Sequence, residues 1–347
     1  MKTVKARKLH ELIRATLIAA GADETNAELV AEHLVSANLV GVDTHGAWHL
    51  PGYVDAIRAG DIVPTATAST LQESPTSALI SGNWGFGHPA CRFATEVAIE
   101  KAAAQNIAVV SLVQAHHIGR LGYYVELAAA KNLIALVWAG GYGAEEPAAV
   151  PFGGAKAVLH TNPIAIGFPC GDERPVVIDF ATTAGAGVKV VEAKRKGEQL
   201  PADWIVDKEG CETTDPNAFF DGGAHRPFGG HKGYAMMVAA ELLGRVVSGS
   251  DAFVDDRYAG PIMRHQGVTI LTIKADLFQP AADYARQLSQ LRQSIRSVPP
   301  APGFDEVLVP GDLEASARAA RQRDGIPIPD YTWQAICEAA QSLGVDV

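Results

Sequence analysis

The chain has 347 residues, 48% hydrophobic and 20% charged, which is typical of a globular protein long enough for two domains. Its 29 Lys and Arg against 39 Asp and Glu give a net charge of −10. Because an acidic surface repels phosphate backbones, general nucleic-acid binding is not expected. No apolar run reaches the ~20 residues that span a bilayer, so no membrane partner is expected either.

The N-terminus and the cysteines indicate a cytoplasmic protein. Residues 1–8 are basic, but Glu11 and Arg14 interrupt the stretch where a secretory signal would be apolar. The four cysteines are far apart and include no C-x-x-C pair. They therefore predict neither a disulfide framework nor a zinc site.

Residues 1–70 predict a helical domain. Apolar residues recur at helical spacing over 9–20, and Asp23 is a suitable cap for a second helix that runs to about residue 40. A third, short helix is expected over 50–59. The turn between the second and third helices contains Gly41-Val42-Asp43-Thr44-His45-Gly46.

Residues 71–230 predict an α/β domain. A strand over 77–80 precedes a helix over 89–105, and the apolar runs at 107–113 and 133–138 are typical of strands buried on both faces. A helix over 122–131 lies between these runs, and further strands are expected at 165–168 and 176–179. Residues 194–230 are polar and turn-rich, which predicts a long functional loop.

Residues 231–347 predict a mainly helical segment. Helices are expected over 233–247, 281–297, 311–322 and 332–343. The alternating run at 267–274 predicts a strand that returns to the sheet of the preceding domain.

One segment, which begins at Gly185, is a weak match to a dinucleotide-binding glycine loop. Val190 stands where the third glycine of G-x-G-x-x-G allows a helix to pack closely on a strand. The acidic residue expected ~20 positions later has only weak matches in Asp203 and Asp207. A Rossmann fingerprint is therefore not predicted, and no P-loop motif occurs.

Two histidine pairs are candidates for chemistry. His45 and His49 are four residues apart, which leaves three interpretations open: a metal-binding pair, a structural pair, or an acid/base histidine on a loop beside Thr44. His116 and His117 follow a buried strand, at the sheet edge where ligands bind in α/β proteins. Arg120, next in this segment, could bind an anionic group or be a solvated side chain.

A glycine-rich turn precedes the helix predicted over 233–247. Gly229 and Gly230 lead to Lys232 and Gly233, so exposed backbone N–H groups, the helix dipole and a lysine would favour an anion there. The alternative is a tight turn beside a buried helix.

Together these motifs resemble the type-2 malate/L-lactate dehydrogenase family, which includes ureidoglycolate dehydrogenase, diketogulonate reductase, sulfolactate dehydrogenase and cyclic imine reductases. The resemblance covers nearly the whole chain. It rests on the following segments: the 41–46 turn; His117-Ile118-Gly119; Pro151-Phe152-Gly153-Gly154; Thr161-Asn162-Pro163; Asp179-Phe180-Ala181-Thr182-Thr183; Pro201-Ala202-Asp203-Trp204 with Asp207 and Gly210; Thr214-Asp215-Pro216; Gly229-Gly230-His231-Lys232-Gly233-Tyr234; and Pro310-Gly311-Asp312 with Glu314.

The resemblance implies an α/β fold with a mixed-sheet, non-Rossmann NAD(P)-binding domain and a helical domain formed from both chain ends. It implies a homodimer that transfers a hydride reversibly between NAD(P)H, either NAD or NADP, and a small 2-oxo or 2-hydroxy acid. No resident metal is expected.

The resemblance also assigns roles to residues. His45 would be the acid/base residue, with Thr44 and Lys189 as catalytic neighbours. The substrate would lie near His49, Thr161 and His117. The cofactor would be lined by His117, Ile118, Gly119, Arg120, Leu121, Asp179, Phe180, Ala181, Lys232, Gly233, Pro310, Gly311 and Asp312.

Departures from the family pattern leave alternatives open. Thr44 and Thr183 replace serines, and Val188 replaces a glycine. His49 stands where an arginine often holds the substrate carboxylate. If His49 faces that carboxylate, KM for an oxo acid should rise between pH 6 and 8 as histidine loses its charge; the alternative is that Arg120 or backbone donors hold the carboxylate. Lys189 replaces an aspartate of imine-reducing members and favours the hydroxy-acid branch. The alternatives are a cyclic imine reductase and a catalytically inactive binding protein of the same fold.

Overall fold

The computed structural model describes residues 1–171 and 173–347. Its strands are β1 Lys2–Val4, β2 Ser69–Glu73, β3 Ser77–Gly85, β4 Ile107–Ala115, β5 Leu133–Gly140, β6 Ile164–Cys170, β7 Glu173–Phe180, β8 Ile205–Val206, β9 Glu212–Thr213, β10 Ala224–His225, β11 Gly267–Lys274 and β12 Ile326–Ile328. Its helices are α1 Ala6–Ala19, α2 Glu24–Leu39, α3 Leu50–Ala59, α4 Gly87–Gln105, α5 Leu121–Ala129, α6 Gly187–Lys196, α7 Pro216–Phe220, α8 His231–Glu241, α9 Gly260–Met263, α10 Ala281–Arg296, α11 Asp312–Asp324 and α12 Asp330–Gln341.

A seven-stranded mixed sheet is the centre of the fold. Its strand order is β2-β3-β4-β11-β5-β6-β7. Strands β3 and β4 are parallel, and every other neighbouring pair is antiparallel. The predicted α/β class with a mixed sheet is therefore confirmed.

Strand β11 lies in the middle of this sheet, between β4 and β5, so the predicted return of 267–274 to the sheet is confirmed. Its alternating polar residues are threonines, and they are buried rather than solvated. Thr269 Oγ1 donates to the Leu243 carbonyl at 2.7 Å, and Thr272 Oγ1 donates to the Ala98 carbonyl at 2.9 Å. These bonds satisfy the hydroxyls, so the strand can occupy a central position despite its polar alternation.

The two chain ends form a second, helical layer. Strands β1 and β12 pair antiparallel, with Thr3 opposite Pro327. Around this pair, α1, α2, α3 and α12 share one apolar core, which includes Leu9, Leu34 and Ile336. The helical region formed from both chain ends is therefore present as predicted.

The segment 194–230 was predicted as a loop, and this prediction is wrong in part. It contains the small sheet β10-β8-β9, helix α7 and the end of α6. Ile205 and Leu200 pack there against Trp204 and Phe219. Strands of two residues are too short to produce a periodic signal, which is why the sequence pattern did not reveal them.

Helix α8 begins at His231 and continues as a π-helical turn over Leu242–Val246. Gly244 of this turn meets the backbone of Gly140 so closely that a Cβ there would collide with the Gly140 nitrogen. In the described part of the chain, none of the helices is both long and apolar enough to cross a membrane.

Candidate active site

A cavity of about 670 Å³ lies where the helical layer meets the ends of β4, β5 and β7. It brings together residues that are far apart in sequence. The predicted site residues that line it are Thr44, His45, His49, His117, Ile118, Gly119, Arg120, Leu121, Thr161, Asp179, Phe180, Ala181 and Lys189.

The turn that carries His45 is held by a polar network. Asn38 Nδ2 donates to Asp43 Oδ1 at 2.6 Å, and Asn38 Oδ1 accepts from the Ala47 backbone N–H at 2.8 Å. Arg321 of α11 donates to both Asp43 carboxylate oxygens, at 2.6 and 2.9 Å. A Cβ at position 46 would collide with the Asn38 amide, so Gly46 permits this packing. The network links the two chain ends and orients the turn.

His45 is half-buried beside Thr44. Its Nδ1 lies 3.1 Å from Thr44 Oγ1, which leaves Nε2 as the second ring nitrogen available for chemistry. Burial lowers the pKa of His45 to about 3, and the charges of His49 and Arg120 act in the same direction. His45 is therefore neutral near pH 7.

His117 faces His45 across the cavity, with the two rings stacked at 5.8 Å. Its Nδ1 lies 2.7 Å from the Tyr53 hydroxyl, which is also 3.3 Å from His88 Nε2. Burial holds the pKa of His117 well below its ordinary value. Sequence reasoning missed Tyr53, although its position four residues after His49 on α3 is a signal that both share a helix face.

His49 is neutral and bonded to its own turn. Its Nε2 lies 2.9 Å from the Thr44 carbonyl oxygen, so it donates there and Nδ1 is the unprotonated nitrogen. Burial lowers the pKa of His49 to about 4, opposed in part by the Thr44 carbonyl. A neutral imidazole has no charge to lose between pH 6 and 8. This contact and burial do not favour a titration of KM through His49, which lines the cavity and whose substrate role stays a prediction.

A buried ion pair lies at the start of α5. Arg120 is 2% exposed and donates to Glu126 Oε1 at 2.7 Å. Asp179 Oδ2 accepts from the Gly122 backbone N–H at 2.7 Å. Burial raises the pKa of Asp179 to about 6, and Arg120 and the Gly122 N–H oppose that rise. Arg120 is thus not the solvated side chain that was one reading of the sequence.

The cavity opens between α6 and α12. The Tyr331 hydroxyl donates to Glu192 Oε1 at 3.2 Å, and the Arg195 guanidinium lies 4.3 Å from the Tyr331 ring centre. Trp48 meets Tyr331 edge to face at 6.4 Å. Lys189 of α6 also lines this side. Trp48 and Tyr331 were not predicted, because neither belongs to a recognisable motif.

Five predicted cofactor residues do not line this cavity. Gly311 and Asp312 lie in a separate depression of about 350 Å³, where Asp312 is paired with Arg296 at 2.6 Å. Pro310 contacts the wall of the main cavity indirectly, since its carbonyl accepts from the Val177 N–H at 3.4 Å and Val177 is a lining residue. The two depressions are therefore neighbours along β7.

Lys232 and Gly233 lie apart from both depressions, at the start of α8. Lys232 is exposed. A Cβ at position 233 would collide with the Phe228 carbonyl, so the packing of the turn by itself requires Gly233. This contact supports the tight-turn interpretation of the segment, and the cofactor role of these two residues remains a prediction.

The described residues contain no group of three or more His, Cys, Asp or Glu side chains arranged to hold a metal ion. The four cysteines are free thiols. The polar groups in the cavity are thus imidazoles, hydroxyls, carboxylates and two cations. Such a set is suited to proton transfer and to binding an anion.

The profile of the malate/L-lactate dehydrogenase family matches residues 4–337. The chain belongs to this family. Hydroxycarboxylate dehydrogenase B of Escherichia coli K12 is 34% identical over 345 residues, which cover 98% of this chain and 94% of that protein. The resemblance expected from the motifs is confirmed, and with it the oxidoreductase class.

Solved structures of this dehydrogenase family share the fold. A putative malate/lactate dehydrogenase from E. coli has a TM-score of 0.91 at 32% identity and covers 100% of this chain and 96% of its own. The delta1-piperideine-2-carboxylate reductase of Pseudomonas syringae has a TM-score of 0.83 at 29% identity, with 98% and 100% covered. Both activity classes anticipated from the motifs therefore occur among similar structures.

Proposed function

We propose that this member of the malate/L-lactate dehydrogenase family transfers a hydride reversibly between NAD(P)H and a small 2-oxo acid, giving the 2-hydroxy acid. The observation that supports it most is the pair His45 and His117, whose half-buried rings lie 5.8 Å apart in one cavity. Each is bonded through Nδ1 to a hydroxyl group, so each ring is oriented with its other nitrogen free.

The cavity fits a dinucleotide in chemistry and extent. The loop that precedes α5 and residues 179–181 line one wall of the cavity. The neighbouring depression contains Arg174, Arg292 and Arg296, although Glu173 and Asp312 share it. A cofactor extending along β7 would be held by 117–121 and 179–181 at one end and by 310–312 at the other. When bound, it supplies or accepts the hydride.

His45 would be the residue that accepts and donates the proton of the reaction. When its Nδ1–H donates to the Thr44 hydroxyl, Nε2 is a base that accepts the proton of a substrate hydroxyl during oxidation. In reduction, protonated Nε2 donates to the carbonyl oxygen, where negative charge develops. The Thr44 hydroxyl can donate or accept, so it holds the ring in either direction. A bound substrate carboxylate opposes the effect of burial and makes protonation of His45 easier.

Cyclic imine reduction is the second candidate, favoured by the similarity to the piperideine-carboxylate reductase. A protonated imine is a cation, and Lys189 on the cavity wall repels it. The hydroxy-acid reaction is therefore the better fit. A catalytically inactive binding protein is the third candidate, and only turnover separates it from the enzyme.

We propose a homodimer from the outer face of α8 and its π-helical turn. Four apolar side chains are exposed there: Met236, Leu242, Val246 and Val247, which are 40 to 62% exposed. Several exposed apolar side chains on one helical segment are typical of a protein interface. Sedimentation equilibrium should give twice the chain mass for the parent and a monomer for Val246→Asp combined with Leu242→Asp.

We also propose that the enzyme acts in the cytoplasm, where free thiols such as buried Cys91 and Cys170 stay reduced. Cell fractionation with an antibody to the chain tests this directly.

The experiment that tests the activity is a screen of NADH and NADPH oxidation with 2-oxo acids and cyclic imines, with His45→Ala as the control. Oxidation by 2-oxo acids that is lost in the variant supports the proposal. Turnover of imines alone would establish the second candidate. Cofactor binding without turnover of any substrate would establish the third.

A further inference from the structure

The charges on the cavity wall restrict which substrate it can hold. The charged lining residues are two cations and four carboxylates: Arg120, Lys189, Asp43, Asp179, Glu192 and Glu314. Arg120 forms an ion pair with Glu126, and Asp43 forms one with Arg321. Lys189 is the one lining cation without an ion-pair partner in the described part of the chain. One substrate carboxylate can therefore be matched by a side-chain cation, and a second cannot.

The turn beside the reacting centre adds no positive charge. His49 uses its Nε2–H on the Thr44 carbonyl, so the nitrogen left for a ligand is an acceptor. His45 and His117 are likewise neutral imidazoles, because burial lowers the pKa of each. A carboxylate placed against His49 would meet an acceptor, and leaving a buried charge unpaired is costly.

The neighbouring wall is apolar and aromatic. Trp48 precedes His49 in the 3-10 turn Ala47–His49, and it packs edge to face with Tyr331. Ile328 and Pro329 continue this wall. Trp48 and Tyr331 are each 36% exposed, so a ligand side chain can still cover apolar area on both. Arg195 and Glu192 hold the Tyr331 ring in place.

We infer that the enzyme selects monoanionic 2-oxo acids with a bulky apolar side chain and discriminates against dianionic ones. Lys189 pairs with the single carboxylate, and Trp48 and Tyr331 cover the apolar side chain. This inference rests on the proposed function, because it names the substrate class of that same site.

A panel of substrates tests charge and size separately. 2-Oxopentanoate and 2-oxoglutarate have the same carbon count, and only the second carries a terminal carboxylate. Pyruvate and phenylpyruvate are both monoanions and differ in side-chain size. We expect kcat/KM at least tenfold higher for 2-oxopentanoate than for 2-oxoglutarate, and at least tenfold higher for phenylpyruvate than for pyruvate.

The outcomes separate the two claims. Equal or higher kcat/KM for 2-oxoglutarate overturns the charge selection, and preference for pyruvate overturns the role of the aromatic wall. No turnover of any 2-oxo acid refutes the proposed function instead of the inference.

Variants at two positions assign the selectivity to residues. His49→Arg should raise kcat/KM for 2-oxoglutarate at least tenfold relative to 2-oxopentanoate, because it adds the missing second cation. Trp48→Ala should raise KM for phenylpyruvate about tenfold more than for pyruvate, and Trp48→Phe should restore most of that difference. Unchanged substrate ratios in folded variants, checked by circular dichroism, would contradict these roles. If His49→Arg fails to fold, the parent panel and the Trp48 pair still decide the question.

Discussion

The cavity has two regions of opposite character. Its floor, formed by His45, His49 and His117 with buried Tyr53 behind them, is half-buried and neutral. Its mouth, formed by Lys189, Glu192, Arg195, Trp48 and Tyr331, carries charges that remain in contact with water. The floor side chains are held by hydrogen bonds such as that between His117 and Tyr53. At the mouth, Tyr331 is held by one hydrogen bond to Glu192 and by the contact of its ring with Arg195.

The difference shows how one cavity can separate proton transfer from charge recognition. Burial strongly disfavours a charged imidazole, so the floor exchanges protons only when a substrate supplies a compensating charge. A lysine at a wet mouth keeps its charge at little cost and can attract an anion. Four experiments test this division, in order of decreasing expected effect.

Removing the proton donor on the floor should have the largest effect. His45→Ala should lower kcat by roughly 10²–10⁴, while the Kd for NADH changes little, because the ring acts on the substrate and not on cofactor binding. Steady-state kinetics and a fluorescence titration of NADH measure the two quantities. His117→Ala is the comparison. If His45→Ala keeps near-full turnover and His117→Ala does not, the proton role belongs to His117.

The neutral floor should make the protein sensitive to acid. Several buried or half-buried histidines have pKa values below their ordinary value: His33, His45, His49, His88, His116, His117, His160 and His225. The unfolded chain binds protons near pH 6.5 and the folded chain only at lower pH, so the free energy of unfolding should fall as pH drops from about 6.5 toward 4. Each group contributes about 1.4 kcal/mol per pKa unit.

Denaturant unfolding at pH 7, 6 and 5 measures this slope. Asp179 provides the control, because burial raises its pKa to about 6 and its contribution has the opposite sign. That contribution favours folding at low pH and is lost as pH rises through about 6. Asp179→Asn should therefore make the acid-side fall steeper. A stability that is constant from pH 7 to 5 would show that the floor histidines are not neutral.

The cofactor should extend beyond both regions if the predicted role of Lys232 is correct. Lys232→Ala should then weaken NAD(P)H binding by about 1–3 kcal/mol, the range of a charge-assisted hydrogen bond. Isothermal titration of NADH and NADPH measures this, with exposed Lys131→Ala as the control. Equal dissociation constants for the parent and Lys232→Ala would limit the cofactor to the cavity and its neighbour along β7.

The smallest effect is expected at the mouth. Arg195→Gln removes an exposed cation from the Tyr331 ring, and such contacts contribute about 0.5–1 kcal/mol. We expect thermal unfolding to shift by no more than about 4 °C. A larger loss of stability would mean that the side chains at the mouth are held as firmly as those of the floor. That result would contradict the proposed difference between the two regions.

Local features of the sequence were enough to identify much of the site. The turn around His45, the segment after β4 and the D-x-A-T-type segment at Asp179 could each be recognised separately, and they do meet in one cavity. Arg321 could not be predicted as the partner of Asp43, because 278 positions separate them. Trp48 and Tyr331 were missed for the same reason, since their contact exists only after the two chain ends have packed together.

By itself, the sequence determined the periodic helices, the strands buried on both faces, the absence of a Rossmann glycine loop and the family. These depend on neighbours within a few residues or on motifs in a fixed order. Only the tertiary structure decided that β11 is central in the sheet, that His49 donates to its own turn, and that the floor histidines are neutral. A pKa depends on how completely water is excluded. Here the excluding groups come from α2, α3, α4 and the segment after β4, which are brought together only by folding.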